Sequence, residues 1–149
     1  MLKESDDMGY LISGSTPGED RWSEIEETPD DEKMKGMLPG HAYSILQAKE
    51  YKNTKLLNIR NPWGKFEWTG DWGDNSKLWT EEYIQAINPI FDETDGSFWM
   101  CNFFTINLAF DDFLKYFRSV NICKARNFEE IRVKGKFIRM QVISYQDNL

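Results

Sequence analysis

Histidine, cysteine and positive charge are scarce in this sequence of 149 residues. It has one histidine and two cysteines, and its 18 lysines and arginines are outnumbered by 25 acids, which gives a net charge of -7. Two cysteines are too few for a disulfide framework, so we expect a reducing, cytoplasmic setting. The lack of a basic stripe argues against a nucleic-acid partner. Residues 1–9 are charged and have no apolar core, so they predict neither a secretory signal nor a transmembrane segment.

The single histidine lies at the start of a predicted β-hairpin. Two mostly apolar runs, residues 43–48 and 56–59, flank a polar stretch, which is typical of antiparallel strands joined by a turn. With the turn centred near Tyr51, His41 and Asn61 lie at the same end of the ribbon, where neighbouring strands are ~4.8 Å apart. Side chains alternate along a strand, so the imidazole and the amide can point the same way and form a hydrogen bond with little distortion.

An imidazole held by an amide oxygen is the orienting half of a nucleophilic triad. The base must keep one tautomer while its other nitrogen meets a thiol or a hydroxyl. An amide in place of a carboxylate indicates a cysteine nucleophile, because a thiolate beside an imidazolium is already an ion pair. The alternative is a lone histidine satisfied at a strand end and followed by an ordinary Asn-Pro turn. Spacing alone favours that alternative, since unsupported motifs often arise by chance.

The motifs around this pair resemble those of the calpain family of cysteine proteases. Residues 40–44 read Gly-His-Ala-Tyr-Ser, and residues 60–64 read Arg-Asn-Pro-Trp-Gly. Further stretches that match the family, in its order, are 9–12, 15–18, 67–70, 95–96, 98–100 and 112–114. The resemblance implies proteolysis of protein substrates by a papain-like active site.

Four residues receive roles from this resemblance. His41 is implied to be the catalytic base and Asn61 its orienter. The carbonyl of Gly40 is implied to face the substrate backbone. The indole of Trp63 is implied to lie beside the cleft and to move aside when calcium binds.

The expected fold class is α+β: a papain-like half-domain with a mostly antiparallel sheet and a few packed helices. Period-2 runs bounded by turns, with only two helical stripes, indicate the same architecture. The predicted strands are residues 9–15, 41–49, 55–61 and 96–101. One helix is predicted to follow an N-cap at Thr80 and a second to begin at Asp111.

The domain organisation is also inferred from the resemblance. Residues 1–124 are expected to be the second half of a protease core, and residues 125–149 the start of a truncated C2-like β-sandwich. A sandwich needs about seven strands, so the tail cannot form one alone. Residues 102–109 interrupt the family pattern with an apolar insertion. A real elongation and a translated non-coding segment both account for it.

The main departure from the family is that no cysteine precedes His41, although the family's nucleophile lies in the preceding half-domain. Cys101 and Cys123 are interpreted as core or incidental thiols, since a reactive cysteine needs activation by a helix N-terminus or a comparable group. We therefore expect this chain to supply the base and the orienter of a calcium-dependent endopeptidase, to need a Cys-bearing half-domain as partner, and to hydrolyse no peptide bond alone. The alternatives are a non-catalytic calcium- or peptide-binding pseudoprotease and a gene fragment. An upstream Gln-x-x-x-x-x-Cys-Trp segment would decide for the enzyme.

A calcium site is predicted at two loops rich in acid and glycine, residues 71–74 and 92–96. Calcium takes six to eight oxygen ligands, and such loops supply them flexibly. Neither loop has EF-hand spacing, and 25 acids in 149 residues will also cluster by chance. The ligands that the resemblance implies are the carboxylates of Glu67, Asp74 and Asp95 and the backbone carbonyl of Glu93. Ser97 stands where the family usually has a carboxylate, so we expect low affinity.

Overall fold

The computed structural model describes residues 1–19, 35–92, 94–102 and 112–124. In chain order the elements are α1 (Leu2–Asp7), β1 (Leu11–Ser15), β2 (Ala42–Tyr51), β3 (Thr54–Arg60), α2 (Glu81–Ile87), β4 (Ser97–Cys101), α3 (Asp112–Tyr116) and β5 (Ser119–Cys123). Within these ranges the strands form one sheet in the order β4-β3-β2-β1-β5, and every neighbouring pair is antiparallel. The predicted α+β class is confirmed.

The central hairpin, β2 and β3, turns one to two residues later than the sequence predicted. Its turn is at Lys52 and Asn53, both in the left-handed region with φ of 46° and 66°, and not at Tyr51. Positive φ at both central residues is the geometry that matches the twist of paired strands. We call this the turn end of the hairpin. The opposite end, which carries His41 and Asn61, is called the open end.

The sheet has an apolar cluster on each face. Side chains alternate along β3, so Leu57 and Ile59 join one cluster while Leu56 joins the other. The first cluster contains the aromatic rings nearest the open end, and the second is rich in tryptophan. The fully buried members of the first cluster include Tyr43, Ile59, Phe98, Met100 and Phe113, and the second comprises Leu56, Trp72, Ile87 and Trp99.

Two elements were not predicted, and both have weak local signals. Helix α1 buries only Leu2 and Ser5, so it has no apolar stripe, and an exposed ion pair between Lys3 and Asp7 at 2.7 Å spans one turn of it. Strand β5 is short and pairs with β1, which is more than a hundred residues earlier in the chain. Helix α2 forms as predicted, with the hydroxyl of Thr80 accepting from the Tyr83 N–H.

Several predictions lie outside the described residues. These are most of the insertion at 102–109, the carbonyl of Glu93 and the C2-like segment over 125–149. They stay predictions. Across the described ranges, none of the helices has the length and apolar character that crossing a membrane requires.

Candidate active site

His41 and Asn61 meet at the open end of the hairpin. His41 immediately precedes β2 and Asn61 immediately follows β3. The distance from the Nε2 atom of His41 to the Oδ1 atom of Asn61 is 3.0 Å. His41 is 5% exposed and Asn61 is 0% exposed. The hydrogen bond between His41 and Asn61 that strand alternation predicted is therefore present, and it is shielded from water.

The side-chain amide of Asn61 is held in one orientation. Its Nδ2 group donates to the carbonyl oxygens of Lys65 and Phe66, which can only accept. Its Oδ1 atom also accepts from the Trp63 main-chain N–H at 3.0 Å, in an Asx turn. Its own main-chain N–H donates to the carbonyl of Gly96 at 2.8 Å. With both amide ends committed, the oxygen must face His41.

The indole of Trp63 covers the other nitrogen of the imidazole. Its Nε1–H donates to the Nδ1 atom of His41 at 3.3 Å, and the two rings stack with centroids 6.0 Å apart. An indole N–H can only donate, so Nδ1 carries a lone pair and Nε2 carries the hydrogen that it donates to Asn61. The tautomer of His41 is thus set from both sides. Trp63 is 57% exposed.

An open cavity of about 400 Å³ adjoins the pair. It is lined by Gly40, His41, Ala42, Pro62 and Trp63. Both residues that the sequence assigned to the cleft, Gly40 and Trp63, are among its walls. The cavity is wide open to solvent on one side.

Side-chain hydroxyls fix the main chain that leads into His41. The Thr16 hydroxyl accepts from the His41 N–H at 2.9 Å and donates to the Leu38 carbonyl at 2.6 Å. The Tyr43 hydroxyl accepts from the Leu38 N–H at 2.8 Å. Burial raises the pKa of Tyr43 to about 12, so the phenol stays protonated. Sequence reasoning missed both hydroxyls. The only available signal was that Thr16 directly follows β1, the strand that pairs with β2.

The acidic loops are joined to each other by carboxylate-to-amide hydrogen bonds. Glu67 accepts from the Gly96 N–H at 2.8 Å, and Asp74 accepts from the Asp92 N–H at 3.0 Å. Burial raises the pKa of Glu67, the Gly96 N–H opposes the rise, and three neighbouring carboxylates, Asp74, Asp95 and Asp92, add to it. The loops that were predicted to share a cation therefore lie together and carry mutually repelling charge.

These carboxylates do not converge as a ligand set in the described arrangement. The Asp95 carboxylate turns back to the Ser97 N–H, which donates to it at 2.6 Å. Among the residues with described positions, no three His, Cys, Asp or Glu side chains gather closely enough to hold a metal ion. The donor atoms suit calcium in kind, since all are hard oxygens. The present geometry of these carboxylates does not suit calcium.

Neither cysteine is placed as a partner of His41. Cys101 pairs with Leu56, near the turn end of β3. Cys123 pairs with Leu11 at the start of β1, whereas His41 contacts the residue that follows the end of β1. Cys101 is partly exposed, Cys123 is exposed, and neither forms a disulfide bond within the described residues.

The fold and the sequence motifs together define a cysteine protease domain. Residues 1–124 match the sequence model described as calpain family cysteine protease. The chain belongs to the calpain family. This match includes the whole hairpin, the cavity and both acidic loops.

Curated relatives come from plants and mammals. The chain is 40% identical over 90 residues to the calpain-type cysteine protease ADL1 of Oryza sativa subsp. japonica, which covers 60% of this chain and 4% of the relative. It is 37% identical over 117 residues to the calpain-type cysteine protease DEK1 of Arabidopsis thaliana. This alignment covers 78% of this chain and 5% of the relative. It is 39% identical over 92 residues to the calpain-2 catalytic subunit of Mus musculus. This alignment covers 58% of this chain and 12% of the relative. The chain thus spans a small fraction of the length of these relatives.

Proposed function

We propose that this chain supplies the general base, His41, and its orienting amide, Asn61, to an endopeptidase whose nucleophilic cysteine lies on a separate half-domain. The observation that carries the proposal is the buried bond from His41 Nε2 to Asn61 Oδ1 at 3.0 Å. It commits Nε2 to the amide and leaves Nδ1 as the basic nitrogen. Family membership supports a cysteine as the group that this nitrogen serves.

The chemistry follows from this tautomer. A thiol docked beside Nδ1 gives its proton to the imidazole, and the thiolate attacks the substrate carbonyl. Collapse of the tetrahedral intermediate breaks the peptide bond, and Nδ1–H protonates the departing amine, which leaves a thioester. Water then loses a proton to Nδ1 as it attacks the thioester, and the thiol is released. Throughout, Asn61 accepts from Nε2–H and keeps the ring in plane with both partners.

The contact with Trp63 indicates that the described arrangement is a resting one. Its indole N–H occupies the lone pair of Nδ1, which the thiol proton needs. The indole must therefore move before the base can act. The ring is 57% exposed and is held by one side-chain hydrogen bond and by stacking on His41, so its departure disturbs little of the core.

The acidic loops support calcium as the cation on which activity depends. Charge repulsion around Glu67, together with the oxygen chemistry of Asp74 and Asp95, favours uptake of a hard divalent cation. The carboxylates must turn away from their amide donors to bind it. We expect calcium, and magnesium much less, to raise the melting temperature, and Asp95→Asn to weaken that response. No change in stability or tryptophan fluorescence up to millimolar calcium would reject the site.

Reassembly tests the proposed function. The chain is mixed with the Cys-bearing half of a calpain-type protease, and cleavage of a fluorogenic peptide is followed with and without a thiol alkylating reagent. We expect turnover only in the mixture, and none after alkylation. Thiol-dependent cleavage by the chain alone would refute the proposal. Docking of the two halves without cleavage would favour the non-catalytic, pseudoprotease alternative.

A further inference from the structure

We infer that Thr16 and Tyr43 are positioning residues for His41, because their two hydroxyl groups hold the turn Leu38–His41 and thereby set where the imidazole stands. We call this pair the hydroxyl clamp. The inference rests on the proposed function, since positioning His41 matters for catalysis only if His41 is the general base. Neither hydroxyl bonds to the imidazole, and neither residue was among the sequence-predicted site residues.

The need for a clamp follows from where the ladder stops. Pairing of β1 with β2 ends at Ser15 and Ala42, so His41 lies one residue beyond the last ladder pair. One further main-chain bond, from the Thr16 N–H to the His41 carbonyl at 3.0 Å, continues the pairing. Gly40 then turns the chain with φ of 63°. The histidine backbone therefore depends on groups outside regular strand pairing.

Thr16 replaces the missing ladder bond with its side chain. Its hydroxyl takes the His41 N–H and gives its own hydrogen to the Leu38 carbonyl, so one oxygen closes the turn at both ends. Thr16 is 5% exposed and Leu38 is 3% exposed. Removing the hydroxyl would leave a buried donor and a buried acceptor without partners. Such groups are costly, so the turn would move toward water and carry His41 with it.

Tyr43 holds the same turn from the other side. Its hydroxyl accepts from the Leu38 N–H at 2.8 Å, so both polar main-chain groups of Leu38 are bound by side-chain hydroxyls. Its ring meets the imidazole of His41 edge to face, with centroids 5.0 Å apart and planes at 89°. Tyr43 thus supports the histidine through the ring and the turn through the phenol.

The molecule contains a matched control for this pair. Thr54 and Tyr83 are a second threonine and tyrosine close in space, at the turn end of the hairpin, and their hydroxyls bond to each other with oxygens 2.9 Å apart. Thr54→Val and Tyr83→Phe delete the same atoms as Thr16→Val and Tyr43→Phe without touching the open end. Thr54 and Tyr83 are partly buried, so these variants control for the loss of a threonine or a tyrosine hydroxyl away from the open end.

The first readout is nitrogen NMR of the labelled 149-residue chain, whose single histidine makes every imidazole signal that of His41. At alkaline pH we expect the Nε2–H tautomer in the native chain, in both control variants and in Thr16→Ser, which keeps the hydroxyl. Thr16→Val and Tyr43→Phe should show mixed tautomers. A native tautomer in both clamp variants would overturn the inference. Where Thr16→Val fails to fold, Tyr43→Phe decides.

The second readout is turnover in the reassembled enzyme. We expect each clamp variant to lower kcat by about 10- to 100-fold, because small displacements of a catalytic group are costly. KM should stay within about two-fold, since the clamp does not touch substrate. Controls should match the native chain. Absence of turnover in the native mixture would count against the proposed function while the spectra still test the clamp. Unchanged spectra with an active native mixture would refute the clamp alone.

Discussion

The two ends of the central hairpin use the same strand pairing in opposite ways. At the open end, His41 and Asn61 are buried and each polar atom has a specified uncharged partner. At the turn end, Lys52 pairs with Glu82 while about half of each side chain is exposed, at 55% and 54%. Water can replace either partner of this exposed pair. The bond between His41 and Asn61 is shielded from water, so it can hold the imidazole in one tautomer.

The largest contrast is expected in turnover. In the reassembled enzyme, His41→Ala should lower kcat on the order of 10⁴-fold or more, by analogy with triad knockouts. Asn61→Ala should cost less, because Asn61 orients the base and transfers no proton. Glu82→Gln, at the turn end, should leave kcat unchanged. Equal losses for Asn61→Ala and Glu82→Gln would show that the amide has no special role.

Stability should separate the ends next. Asn61→Ala leaves His41 Nε2–H, the Trp63 N–H and two carbonyls without their partner, and we expect a loss of about 2 to 4 kcal/mol in the free energy of unfolding. Urea denaturation measures it. Glu82→Ala is the control. It should not change the urea midpoint measurably, since exposed ion pairs contribute little to stability. A small effect at Asn61 would mean that the buried network is replaceable.

Backbone tolerance should differ as well. Gly96, at the open end, has φ of 78°, and a Cβ there would lie 2.7 Å from the Cα of Gly64. Gly96→Ala should therefore destabilise by about 2 kcal/mol or more. At the turn end, Asn53 already adopts φ of 66° with a side chain, and Asn53→Gly should change stability by less than about 0.5 kcal/mol. Thermal unfolding of both variants compares them.

The smallest effect concerns pH, at the acidic loops beyond the open end. The pKa of Glu67 is raised above its ordinary value of 4.5, chiefly by burial. Folding then favours the protonated carboxyl, so the stability that Glu67 contributes is greatest below pH 4.5 and is lost as pH rises through the raised pKa.

Glu67→Gln keeps an acceptor for the Gly96 N–H and removes the charge. We expect a rise in melting temperature of roughly 1–2 °C at neutral pH in the presence of a chelator, allowing for solvent screening. The gain over the native chain should disappear in acid. Asp71→Asn, an exposed acid of the same loop, is the control and should show no such pattern. A loss of stability at neutral pH would contradict the raised pKa of Glu67, which burial and the neighbouring carboxylates cause.

Sequence reasoning succeeded where the pattern was local. The alternation of β2 and β3 and the cap at Thr80 are read within a few residues, and they placed His41 beside Asn61. The turn was misplaced because Lys52 and Asn53 adopt positive φ without a glycine to mark them. Strand β5 has alternation at Val120 and Ile122, but its partner is remote in sequence.

The finer features of the site could not be predicted because they depend on three-dimensional neighbours. Spacing places Trp63 near the cleft, yet only the fold shows its indole N–H on Nδ1 of His41. The threonine that closes the histidine turn is 25 residues away from it in sequence. The acidic loops lie together, but the directions of their carboxylates are set by main-chain amides that no motif reveals.

The position of β1 between β2 and β5 has a consequence for the order of folding. The hairpin closes over a few residues, whereas Ser15 and Ser119, whose hydroxyls are 2.5 Å apart, are separated by 104 positions. Contacts this distant form late, because a long loop must close first. During synthesis, one edge of β1 would therefore stay unpaired until β5 leaves the ribosome. An unpaired edge is a template for intermolecular association, so a chain that stalls before β5 is the form most prone to aggregate.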